Sequence, residues 1–157
     1  MARHYISKKD AKTVLEKLNA VDIKLGDSSE IEVDDRKDLK LYYKSKKAIG
    51  FEGSDGLFIP SLFVLNSAMP TSWFITVDDG AIPHLMNGAD LFAQGIVDID
   101  MKITEDHIVF VRNKKGVFFA VGRTVRSATE IMADKKGIAA KLLHYAQDSI
   151  YNIYAVQ

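Results

Sequence analysis

Apolar and polar positions alternate along this chain in two distinct rhythms, and the change of rhythm predicts most of its elements. Ala11, Val14, Leu15 and Leu18 recur at helical spacing behind "SKKD" (residues 7–10), where Ser7 is placed to cap and Asp10 stands three residues on. The pattern predicts a helix from about Ser7 to Ala20. Period-two alternation follows at Val21, Ile23 and Leu25, again at Ile31 and Val33, and again at Leu39, Leu41 and Tyr43. With "GDSSE" and "KSKK" as turns and "AIGFEG" closing the run, this predicts an antiparallel meander with one wet face. Asp55-Gly56 is a turn signal. Pro60 suits the first turn of a helix, and Leu62, Phe63 and Leu65 fill it, so a short buried helix is expected over about 60–68, ended by Pro70.

The second half opens on the strand "FITVD". Asp78 or Asp79 can cap the next helix by accepting orphan backbone N–H groups, and Ala81, Ile82, Leu85 and Met86 supply its buried stripe. Asn87-Gly88 ends it, because both residues adopt positive φ cheaply. "HIVFVR", the turn "NKKG" and "VFFAVGRTVR" predict a hairpin, with Gly122 marking a bulge or a close backbone approach. "SATE" (127–130) is a second capping box, opening a helix to about Asp134. "GIAAKLLHYA" is helical by composition but short, and "SIYNIYAV" reads as a final strand. The weakly linker-like stretch 67–73 is the expected boundary between two modules, 1–73 and 74–157.

The chain has 157 residues and no cysteine. That length supports a sizeable core without staples, and the absence of thiols excludes disulfides, thiolate metal sites and Cys nucleophiles. The N-terminal residues lack the apolar core of a signal peptide, and no apolar run approaches the roughly 20 residues of a membrane span. The expectation is a cytoplasmic protein without membrane contact. Formal net charge is zero, which counts against a strongly basic, non-specific nucleic-acid binder. The charge is uneven, however. Residues 74–100 carry Asp78, Asp79, Asp90, Asp98 and Asp100 without Lys or Arg, whereas 101–127 carry Lys102, Arg112, Lys114, Lys115, Arg123 and Arg126 against Glu105 and Asp106. These are either solvated surface or one basic face.

Catalytic constellations are missing. His4, His84, His107 and His144 form no metal-type pair, and no cofactor is implied. His144, in an apolar run, reads as a partly buried, hydrogen-bonded histidine. Neither a P-loop, nor G-x-G-x-x-G, nor G-x-S-x-G occurs. Gly80, Gly88, Gly95 and Gly122 remain, and their use is either tight packing or close approach of main chain to a ligand.

"VDDGAIPHLMNGADLFAQGI", "VFFAVGRTVRSATEI" and "KKGIAAKLLHYAQDSIYNI", in that order, resemble the PUA domain, a small RNA-binding pseudobarrel. "SDGLFIPSLFVLNSAMP" before them is similar to the end of the pre-PUA module of the malignant-T-cell-amplified-sequence and ligatin-type translation factors, including stand-alone archaeal members. The resemblance implies an α+β chain: an N-terminal α/β pre-PUA module, then a C-terminal PUA β-pseudobarrel with short helices. It also implies a non-enzymatic protein that binds structured RNA, tRNA or rRNA, or the small ribosomal subunit, in initiation or recycling. The alternative is an interaction module that docks a translation or RNA-modification factor without touching RNA. Carried over by position, Gly80 and Ala81 open the RNA-facing helix, Met86, Asn87, Gly88 and Ala89 form its exit, and Gly95 and Ile96 form the next loop. Gly122 and Arg123 stand in the family's "VG-x-A" strand. Main-chain N–H groups near Gly80 and Gly95, with Arg112, Lys114, Lys115, Arg123 and Arg126, would then meet phosphates. The chain departs from the family at Gln94-Gly95 for Pro-Gly, at Ile150-Tyr151 for Leu-Trp and at Thr124 for alanine.

Overall fold

The computed structural model describes residues 3–27 and 30–156. Its packing divides into two units: Thr71–Asn152 forms one, and the chain up to Pro70 together with the residues from Ile153 onward forms the other.

In the first unit, helix α1 (Lys8–Asn19) is capped as expected: the Ser7 hydroxyl accepts the Asp10 N–H at 3.1 Å. It buries Ala11, Val14 and Leu18. Five antiparallel strands lie side by side in sequence order: β1 (His4–Tyr5), which precedes α1, then β2 (Ile31–Arg36), β3 (Leu39–Lys44), β4 (Lys47–Gly53) and β5 (Phe58–Pro60). The expected meander is therefore present, with a correction at each end. Val21–Leu25 is not a strand: Asp22 turns through φ 68°, and the Ile23 N–H returns to the Leu18 carbonyl, so α1 ends in a tight reversal that buries Ile23 alone. The turn read in "GDSSE" lies partly outside the described residues, at Ser28 and Ser29. Pro60 ends edge strand β5, where its missing N–H costs no ladder bond, and helix α2 (Leu62–Ala68) begins after it. Ser61 caps that helix through Val64 N–H (3.0 Å) and donates to the Ala48 carbonyl (2.6 Å). Tyr154 plugs the same unit: its hydroxyl accepts the Leu62 N–H at 3.1 Å, and its ring meets Phe63 edge-on at 5.5 Å.

The second unit is one six-stranded sheet with the order β7-β11-β10-β9-β6-β8. Its strands are β6 (Phe74–Val77), β7 (Leu91–Phe92), β8 (Ile96–Ile99), β9 (Ile108–Arg112), β10 (Phe118–Thr124) and β11 (Ile138–Tyr145). The two edge strands, β7 and β8, are joined by only the 3₁₀ turn Ala93–Gly95. A flat sheet of this width would separate them by ~24 Å, which three residues cannot span, so the sheet curls into a half-barrel. Ile75, Val77, Leu91, Ile96, Val109, Val111 and Ala120 fill its interior. Helix α4 (Ala128–Asp134) has the full capping box between Ser127 and Glu130. The hairpin of β9 and β10 forms, its turn held by Asn113 Oδ1 accepting from Lys115 and Val117 N–H. A register shift falls between Val121 and Gly122, the expected bulge. The last two elements are exchanged: "GIAAKLLHYA" is strand β11, and the expected final strand is helix α5 (Ser149–Ala155).

Candidate nucleic-acid interface

After β6 the chain must leave the barrel without exposing core. Asp78 settles the choice of cap, its carboxylate accepting the Ala81 N–H at 3.1 Å. A 3₁₀ turn (Asp79–Ala81) runs into the single-turn helix α3 (Ile82–Leu85), which buries Leu85. Asn87 and Gly88 then reverse the chain, with Gly88 at φ +83°. The Asp78 N–H donates to the Gly95 carbonyl at 2.9 Å, which draws the β7–β8 turn against the start of this segment. Between them lies a cavity of about 520 Å³, lined by Gly80, Ala81, His84, Ala89, Phe92 and Gly95, with Asp78, Asp90 and Gln94 also on its wall.

Of the residues expected to meet RNA, Gly80, Ala81, Ala89 and Gly95 come together on that wall. Met86, Asn87 and Gly88 make the exit beside it. Each glycine has a separate physical reason. A Cβ on Gly95 would come within 3.0 Å of the Ala81 Cβ, so Gly95 lets the two loops close on each other. A Cβ on Gly88 would sit 3.1 Å from the Tyr145 hydroxyl. Gly80 is the open one, with only its neighbour Asp78 Oδ1 at 3.4 Å. Gly122 and Ile96 do not face solvent. Gly122 lies under β11, where a Cβ would meet the Lys141 carbonyl at 3.0 Å, and Ile96 is a core side chain.

The expected basic residues do not gather in one place. Arg112 pairs in register with Phe118, and Arg123 with Ile108, so the two stand at opposite ends of the β9–β10 ladder. Arg112 donates to Thr76 Oγ1 at 2.9 Å and lies over the Phe74 ring. Arg123 is ion-paired with Asp106 at 2.7 Å. Arg126 grips Asp134 with two bonds of 2.9 and 3.0 Å and donates to the Lys136 carbonyl. The Lys136 backbone N–H and then the Arg126 guanidinium hold the Asp134 carboxyl below the usual carboxylate range. Lys114 and Lys115 are exposed on the hairpin tip.

Lys135 and Lys136, missed in the sequence, stand nearer the cavity. Lys135 Nζ donates to the Ile96 carbonyl, and the Ala93 N–H donates to the Gly137 carbonyl, so residues 135–137 abut the turn that forms one cavity wall. Phe92 was missed as well; it is 51% exposed and on the cavity wall, in a strand too short to show a pattern. The cavity wall itself carries Asp78 and Asp90, so it suits base and ribose groups that donate hydrogen bonds, while the flanking lysines suit phosphate. Among the described residues, no group of three or more His, Asp or Glu side chains converges to hold a metal ion. No helix there is long and apolar enough to cross a membrane.

The PUA domain family matches residues 73–146, and a domain of unknown function (DUF1947) matches residues 2–68. An uncharacterized protein of Methanocaldococcus jannaschii is 36% identical over 96% of this chain and 95% of its own length. Translation machinery-associated protein 20 of Schizosaccharomyces pombe is 30% identical over 78% of this chain and 70% of its own. The structure of a conserved PUA domain protein from Thermoplasma acidophilum superposes with a TM-score of 0.89 at 39% identity, covering 98% of this chain and 99% of that one. With the order of its two modules, the curled sheet and these likenesses together, the chain belongs to the family of pre-PUA and PUA proteins that includes translation machinery-associated protein 20.

Proposed function

We propose that this protein is a non-enzymatic RNA-binding factor that binds tRNA, rRNA or the small ribosomal subunit during initiation or recycling. The observation that carries this reading is the cavity of about 520 Å³ between the 3₁₀ turn after β6 and the β7–β8 turn. It falls within the ≈ 300–1,000 Å³ range of small-ligand pockets, which suits one extruded nucleotide. Its aromatic residues, Phe92 and His84, offer faces for a base, and Asp90 and Gln94 offer polar contacts to a base edge or a 2′-hydroxyl. Lys135 and Lys136 are placed for the neighbouring phosphates. Membership of a family that includes a translation machinery-associated protein supports the same reading. Substituting Ala89→Trp at the exposed rim fills the cavity without touching the core. Affinity for a structured tRNA, measured by filter binding, is expected to fall at least about tenfold, the equivalent of ~1.4 kcal/mol. Unchanged affinity in a folded variant refutes the cavity as the RNA site.

A further inference from the structure

Trp73 is the chain's single tryptophan, and its backbone is held at φ +66°, a left-handed conformation that a bulky residue adopts only under constraint. The constraint is visible. The buried Asp100 carboxylate takes the Trp73 N–H at 2.6 Å and the Lys102 N–H at 3.0 Å, and the Trp73 carbonyl accepts from Phe110 at 2.9 Å. The indole so placed stacks on the His107 ring, with centroids 4.1 Å apart and planes inclined by 24°. His107 is fixed in turn. Its N–H donates to Thr124 Oγ1 at 2.9 Å, and its Nδ1 lies 2.7 Å from the Ile108 carbonyl. A carbonyl only accepts, so Nδ1 carries the proton in this contact. The exposed Lys102 lays its ammonium over the indole at 5.3 Å and donates to Ser72 Oγ at 3.0 Å.

Trp73 and His107 are half-buried, and Trp73 also packs against the core of the second unit, so two rings and a cation meet at the margin of that core on a strained backbone. They are the parts that a nucleobase and its phosphate need. Resting on the RNA-binding reading above, we infer that Trp73, His107 and Lys102 form a second contact, a stacking site for one unpaired nucleobase. The base takes the place of the Lys102 ammonium on the indole, and the ammonium turns to the adjoining phosphate. The exchange is favourable in magnitude. A base stacked on an aromatic side chain is held more strongly than an exposed cation over a ring. The site is separate from the cavity, since Trp73 precedes β6 and Asp78 follows it, ~16 Å along the strand. Paired bases have both faces covered, so the site selects single-stranded RNA.

The test uses the full chain and a single-stranded RNA decamer. Trp73 emission is followed alongside the anisotropy of end-labelled RNA. Emission is expected to change with the same midpoint as the anisotropy, and to stay constant with a duplex of the same sequence. Trp73→Leu is expected to weaken binding about tenfold, the factor for ~1.4 kcal/mol of lost stacking, while Trp73→Phe retains most of it. Should the leucine variant fail to fold, as judged by circular dichroism, His107→Ala carries the same expectation. Saturating anisotropy with unchanged emission, or a folded variant within twofold of the parent, overturns the stacking site and leaves RNA binding standing. If neither signal responds to the decamer, the stacking site falls, and filter binding of structured tRNA decides the RNA-binding reading separately.

Discussion

Asp148 holds three groups at once. Its Oδ2 lies 2.8 Å from Nδ1 of the fully buried His144 and accepts the Tyr145 N–H at 3.0 Å, while Oδ1 accepts the Tyr151 N–H at 2.8 Å. Burial pulls its pKa upward, but the bonds from His144 and the two backbone N–H groups outweigh it, so the carboxyl sits below its ordinary value. A carboxylate depressed in the folded state contributes stability above its unfolded pKa, ~3.9, and loses that contribution as pH falls through the lower folded value. Asp148→Asn is therefore expected to lower the melting temperature at pH 7, through lost charge-assisted bonds worth about 1.5–3 kcal/mol. Its deficit against the parent should shrink steadily below about pH 4. A deficit that is constant across pH 3–7 would show that ionisation of Asp148 is irrelevant. His144 was legible as a satisfied buried histidine; its partner was not, because Asp148 looks like any turn acid until β11 is known to end beside it.

At the scale of elements, local chemistry was readable wherever a cap or turn wrote it. Ser7, Ser127, Asp78 and Asn113-Gly116 all act as their positions imply. The exchange of the last strand and helix shows what overrides local preference. Residues 138–145 are rich in Ala, Lys and Leu, yet β11 is a strand because both β10 and β7 bond to it. Residues 149–155 alternate like a strand, yet the Asp148 cap and the burial of Tyr154 make them helix α5. The same pairing explains Gly122. The bulge brings the β11 backbone to where a side chain would begin, so Gly122→Val is expected to destabilise the second unit by about 1–3 kcal/mol. Urea denaturation followed by far-ultraviolet circular dichroism checks this, and an unchanged midpoint would mean that β10 and β11 part at little cost. Close approach was the right reading of this glycine, but the approaching group is the protein's own strand.

Taken as a whole, the molecule carries 21 basic and 21 acidic residues, so no general attraction draws it to RNA. Binding as proposed comes from a few placed cations: Arg112, Arg123 and Arg126 are engaged within the fold, while Lys102 and Lys135, bonded to Ser72 Oγ and the Ile96 carbonyl, keep ammonium donors to spare on flexible stems. With about three phosphate contacts, from the lysines at 102, 135 and 136, log affinity for single-stranded RNA should fall with log salt at a slope of about −2. That is roughly a 15-fold loss between 50 and 200 mM. A slope near zero would exclude phosphate contacts, and one steeper than about −4 would mean a diffuse basic coat. Segment 101–127 looked like such a coat in the sequence because linear order conceals which cations have an acid or hydroxyl waiting for them. Asp134 lies eight residues beyond Arg126, and Thr76 lies 36 before Arg112.

Tyr154 belongs with the sheet that opens the chain, although the whole of the second unit lies between them in sequence. Its hydroxyl meets the first turn of α2, and its ring lies wholly inside. During synthesis the leading module therefore waits, with an unfilled hole, until the second unit has been made. A polypeptide that stops short of Tyr154 would show the loss in the part already built.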